Sequence, residues 1–155
     1  MMRAISWVRL PAALLLAASS IGAAAQTPPA AAAPVAVYKS ATCGCCAKWN
    51  DHMRSAGFTV NSTDLPDVAP MKDKHGVPAA LRSCHTAIVG GYVIEGHVPA
   101  DVVKKLLRER PAIVGIATPG MPSGSPGMEV PGGHVDSYNV MSFDKSGATK
   151  VYASR

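Results

Sequence analysis

The chain is poor in aromatic residues (5%) and in charged residues (16%), and it has two tryptophans and four cysteines in 155 positions. No cluster of Lys and Arg is interleaved with aromatic side chains. The electrostatic footprint of a nucleic-acid binder is therefore missing, and no nucleic-acid partner is expected. No internal repeat is apparent, and the length excludes two full domains. No stretch approaches the roughly 20 apolar residues that span a bilayer; the longest, Leu10 to Ala18, is short and rich in Ala.

That stretch has another use. Arg3 and Arg9 precede it and Ala23-Ala24-Ala25 follows, which is the pattern of an export signal cleaved after Ala25. Residues 1–25 are thus expected to be a signal peptide and 26–34 (QTPPAAAAP) a flexible linker. Residues 35–155 would form one domain, soluble in the periplasm and not held to a membrane. Loss of Arg3 and Arg9 removes two of the +5 formal charges, so the basic pI belongs partly to the leader.

Val35 to Lys39 predicts a β-strand that runs into Cys43-Gly44-Cys45-Cys46. Cys46, Trp49, Met53 and Ala56 then recur at helical spacing, opposite Lys48, Asn50, Asp51 and Arg54, with Gly57 as a stop. A second strand is expected at Phe58 to Val60 and a short helix over Asp67 to His75. Thr86 to Val89 and Tyr92 to Glu95 flank Gly90-Gly91, which predicts a tight hairpin. A closing helix over Ala100 to Arg110, with Pro99 at its first position, ends at Pro111. This order predicts an α/β domain, a mixed sheet covered by helices on a thioredoxin-like plan. Thr118 to Asp136, dense in Pro and Gly, is expected as a long loop that either covers a site or hangs free. A second hairpin, Tyr138 to Phe143 and Thr149 to Tyr152, completes the chain.

In an oxidising compartment, four cysteines ordinarily pair as two structural disulfides. Cys43 and Cys46 also have the C-x-x-C spacing of a redox pair, but Cys45 puts a third thiol between them and invites scrambling. Three soft donors on one turn suit clustered Cu(I) better than they suit one zinc ion. A helix N-terminus favours their thiolate forms. Cys84, just before a central strand, is expected to meet them. His85 adjoins Cys84, and His97 follows the hairpin near the return of the chain. His52, His75 and His134 are expected to be solvated. Met121 and Met128, in the long loop, are minor candidates for copper contact.

Val37-Tyr38-Lys39, Cys43-Gly44-Cys45-Cys46, Ser83-Cys84-His85-Thr86-Ala87, the run Tyr92 to Pro99 and the run Pro119 to Met128 together resemble the CopG-type copper-resistance family. Its members are exported metal-binding proteins long catalogued as a domain of unknown function. The resemblance spans Val35 to Tyr152. It implies a thioredoxin-like fold holding a multinuclear copper-thiolate cluster, with the cysteine triplet at its centre and histidine co-ligands. The metal ligands expected are Cys43, Cys45, Cys46, Cys84, His85 and His97, with copper as Cu(I) and other periplasmic copper-handling proteins as partners. A copper-linked oxidase or reductase activity is a variant of this expectation. The alternative is a thiol-disulfide oxidoreductase in which Cys43 attacks and Cys46 resolves.

Overall fold

A computed structural model describes residues 34–155. The expected signal peptide and nearly all of the expected linker lie outside the described residues. Seven strands form one mixed sheet: β1 (Val35–Lys39), β2 (Val60–Asp64), β3 (Thr86–Val89), β4 (Tyr92–Gly96), β5 (Gly115–Thr118), β6 (Asn139–Phe143) and β7 (Thr149–Ser154), in the order β2-β1-β3-β4-β5-β6-β7. Among the described residues, the helices are α1 (Gly44–Ser55), α2 (Ala69–Lys74) and α3 (Ala100–Glu109), with a 3₁₀ turn at Ala79–Leu81. β1 pairs parallel with β2 across α1, and β4 pairs parallel with β5 across α3; all other pairings are antiparallel. The expected α/β class with a mixed sheet, a C-terminal loop and an added hairpin is what the chain forms.

Side chains alternate across the sheet because the strand period is two. Val35, Val37, Ile94, Ile116 and Val140 share one core with Trp49 and Met53 of α1 and with Val102, Val103 and Leu106 of α3. Val93, Ala117 and Phe143 face the other way and pack with Val77 and Leu81. The Trp49 indole N–H donates to the Val98 carbonyl at 2.9 Å, tying α1 to the entrance of α3. Gly90 and Gly91 make the first hairpin turn at positive φ, as their sequence predicts. In the second, the Asp144 carboxylate accepts hydrogen bonds from the N–H groups of Ser146 and Ala148.

Five local expectations need correction. The second strand begins only at Val60. Phe58 instead closes the turn after α1, its N–H donating to the Met53 carbonyl at 3.1 Å, and its ring is buried. α2 is shorter than Asp67 to His75, and Pro99 caps α3 from outside instead of occupying its first position. β5 follows Pro111 where no strand was expected, its four residues all buried. Asn50, placed by periodicity on the polar face of α1, is also buried.

The register explains why a site forms at one end of this sheet. Tyr38 pairs with Thr86, Thr86 with Glu95, and Gly96 with Thr118. The end of β1, the start of β3, the end of β4 and the end of β5 therefore stand side by side. The segments joined to those four ends are the cysteine turn, Cys84-His85, His97 and the Pro/Gly-rich loop.

Candidate metal centre

Cys43 is the N-cap of α1, and Cys45 and Cys46 lie in its first turn. Cys43 and Cys46 therefore stand one helical turn apart, with Cα atoms separated by 5.3 Å, inside the range a disulfide spans. The two are joined as a disulfide, while Cys45 and Cys84 are free thiols. The expectation of four unbridged sulfurs thus does not describe this state of the chain. Cys46 is fully buried; Cys43, Cys45 and Cys84 are half-buried.

The ligand atoms of Cys43, Cys45, Cys46 and Cys84 all lie within 4.8 Å of one another, with Cys43 Sγ and Cys45 Sγ 3.6 Å apart. A second set, Cys84, His85 and His97, also falls within 4.8 Å. All six residues expected as ligands are therefore brought together, and Cys84 is common to both sets. Its thiol contacts His97 Nε2 at 3.0 Å and His85 Nδ1 at 3.4 Å.

The electrostatics keep these groups neutral in the absence of an ion. Burial, and then the neighbouring Cys45, push the Cys84 thiol up to about 12. It consequently holds its proton, and any metal ion that uses this sulfur must displace that proton. Burial, reinforced by His97 and by the charges of Lys72 and Lys39, holds His85 well below the usual imidazole range. Burial also lowers His97, against the opposing pull of the Pro126 carbonyl and Glu129. Neutral imidazoles are the form that binds metals.

The tautomer of His97 is fixed by the loop. Its Nδ1–H donates to the Pro126 carbonyl at 2.8 Å, which leaves the Nε2 lone pair facing Cys84 Sγ. His85 has no such support: its Nε2 is buried without a hydrogen-bond partner, and its ring lies tilted by 45° against that of Trp49, with centroids 4.6 Å apart. The Thr118 hydroxyl, at the end of β5, is likewise buried and unpartnered.

Of the two expectations for the Pro/Gly-rich loop, the structure shows the covering one. Ser123 and Asp136 exchange backbone and side-chain hydrogen bonds, and Gly124 N–H donates to the Met128 carbonyl, so the segment folds on itself. Gly127, at φ +87°, then presses on the first turn of α1. A Cβ there would stand 2.6 Å from the Cys45 carbonyl, 3.0 Å from Trp49 N and 3.3 Å from His97 Nδ1. Gly127→Ala is expected to lift the loop, cost about 1–3 kcal/mol in stability and weaken the Pro126–His97 bond; thermal melting and copper affinity measured together check this.

Beside the segment that carries Cys84 lies a polar cluster that the sequence does not reveal. Glu95 on β4 is fully buried and accepts hydrogen bonds from Lys72 Nζ (2.6 Å), Ser83 N–H (2.6 Å) and the Thr86 hydroxyl (2.7 Å). One carboxylate thus anchors α2, β3 and the segment carrying Cys84. His52, expected to be solvated, instead accepts the Ala100 N–H at the start of α3 through Nε2 at 3.0 Å. His134 is exposed beside Asp136, and Met121 is 43% exposed.

A family model described as "Protein of unknown function, DUF411" matches residues 81–128. Two solved structures titled "Copper resistance protein copG", Form 2 and Form 1, are each 43% identical to the chain. The Form 2 match covers 80% of this chain and 98% of that one with a TM-score of 0.76; the Form 1 match covers 79% and 96% with a TM-score of 0.74. No curated protein sequence matches.

Proposed function

Because this chain belongs to the CopG family of copper resistance proteins, we propose that it is a periplasmic copper-binding protein. Its reduced form holds Cu(I) through Cys43, Cys45, Cys46 and Cys84 as a multinuclear thiolate cluster, with His85 and His97 as co-ligands. The observation that carries this reading is the convergence of four sulfur atoms, from the separate stretches that hold Cys43 to Cys46 and Cys84, within 4.8 Å of one another. Thiolates select Cu(I), and several of them in one place can bridge ions that a single tetrahedral site would not need. The export signal expected in residues 1–25 supports the periplasm as the compartment. Sequestration of copper, or its transfer to other periplasmic copper-handling proteins, is the task that follows.

The test is anaerobic purification of the exported chain, followed by elemental analysis and thiol counting with and without added Cu(I). More than one copper ion per reduced chain is expected, with a matching loss of titratable thiols. Cys43→Ser, Cys45→Ser and Cys84→Ser should each lower the stoichiometry. Unchanged stoichiometry in all three would overturn the proposal.

One observation favours a second reading. The disulfide joins the pair at C-x-x-C spacing, with the half-buried Cys43 more accessible than the fully buried Cys46. In a thiol-disulfide oxidoreductase, Cys43 attacks a substrate disulfide and Cys46 displaces it. Insulin reduction lost in Cys43→Ser but kept in Cys45→Ser and Cys84→Ser would select that reading.

A further inference from the structure

The Cys43–Cys46 disulfide divides the sulfur and nitrogen donors at this end of the sheet into two groups. Two sulfurs are bonded to each other and have no thiol proton to give up to a metal. Of the donors untouched by that bond, Cys45 lies on α1, and the others are Cys84, His85 and His97. They stand on the approach to β3 and the exit from β4, two strands paired directly through Thr86 and Glu95, and none of them belongs to α1.

Resting on the copper reading above, we propose that the chain with its Cys43–Cys46 disulfide closed binds a single copper ion at a trigonal site formed by Cys84 Sγ, a ring nitrogen of His85 and Nε2 of His97. This site uses three of the six ligands assigned to the reduced chain and leaves out Cys43, Cys45 and Cys46. One thiolate with two imidazoles is a donor set that single copper ions accept. Metal–sulfur and metal–nitrogen bonds of roughly 2.3 and 2.0 Å at trigonal angles put neighbouring donors about 3.7 Å apart. Cys84 Sγ already lies 3.0 Å from His97 Nε2 and 3.4 Å from His85 Nδ1, so these two separations need to widen by only about 0.7 and 0.3 Å. When the ion binds, the Cys84 S–H bond breaks, its proton leaves to solvent and a copper–sulfur bond replaces it; copper and sulfur keep their oxidation states.

The support around the trio is also independent of the disulfide. The Pro126 carbonyl orients His97, and Glu95 holds the Ser83 N–H next to Cys84. His85 is the less prepared ligand. If Nδ1 binds the ion, the proton sits on Nε2, which has no acceptor. Loss of His97 should therefore weaken the site more than loss of His85.

The experiment adds Cu(I) anaerobically to the exported chain with its disulfide intact, and in parallel to the chain after reduction. For the disulfide form, native mass spectrometry should find one copper per chain at the mass of the closed bond. X-ray absorption should find one sulfur and two nitrogen neighbours around copper, against a sulfur-dominated shell in the reduced form. His97→Ala should weaken copper binding by the disulfide form at least about tenfold. The absorption measurement on the unaltered chain decides the matter even if that variant folds poorly. A disulfide form that takes up no copper while the reduced form takes several overturns this inference and leaves the copper reading standing. A shell of two sulfurs, from Cys45 and Cys84, also overturns it. Failure of both forms to bind copper removes the copper reading and this inference together.

Discussion

Replacing Cys84 by alanine is expected to weaken copper binding at least about 100-fold while leaving the fold nearly intact. Loss of a hydrogen-bond partner behind a metal ligand costs about 10–100-fold in affinity, so loss of the ligand itself should reach at least the upper end of that range. Cys84 is also the residue shared by the four-sulfur and the sulfur-imidazole sets, so both lose a member in one substitution. The fold is less exposed to the change. The side chain is half-buried, and what the apo protein loses is a thiol contact to His97 together with modest packing, which places the cost near 1 kcal/mol. Competition against a Cu(I) chelator, paired with a melting curve, checks both halves. Affinity within a few-fold of the parent chain would show that this sulfur does not hold the ion.

The largest loss of stability is expected from Glu95→Ala, about 3–5 kcal/mol, enough to consume much of the stability of a domain this size. The carboxylate is fully buried, and its removal strands the Lys72 ammonium, only 6% exposed, in a place that water does not reach. It also leaves the Ser83 N–H and the Thr86 hydroxyl without their acceptor. The double replacement Lys72→Met with Glu95→Gln should recover most of the loss, because no charge is then stranded and the amide oxygen still receives Ser83 N–H. Denaturant unfolding of the two variants checks the ordering. A double variant less stable than Glu95→Ala would contradict it. Copper affinity should follow the anchoring of the Ser83–Cys84 segment, falling in Glu95→Ala and returning in the double variant.

The parts of this molecule that could be read from its sequence are those whose cause is local. The Gly90-Gly91 hairpin and the cysteine turn at the mouth of α1 are set by a few neighbouring residues. The apolar spacing of α3 is set over ten. β2 was misplaced because it is an edge strand whose last four residues are exposed, so the polar run VNSTD carries no alternation. β5 was missed because it is short and built largely of small residues. A side chain at Gly115 would collide with Val93 and Phe143, so tertiary packing and not strand propensity selects it. Cys84 and His85 were legible from their place before a central strand, and His97 from the hairpin that precedes it. The Glu95–Lys72 pair joins residues 23 positions apart, and neither position alone marks a buried charge. His52 shows the same limit: its polar helical position gave no sign of the α3 amide that it caps.

The sheet separates chemistry from handling. Every segment that meets the clustered cysteines and histidines leaves one end of the strands, whereas the β6–β7 turn held by Asp144 lies at the other, beyond the start of β5. That remote turn is a natural attachment point for a fluorophore or a fused reporter, because cargo placed there would ride on the domain a full strand length away from the sulfur atoms.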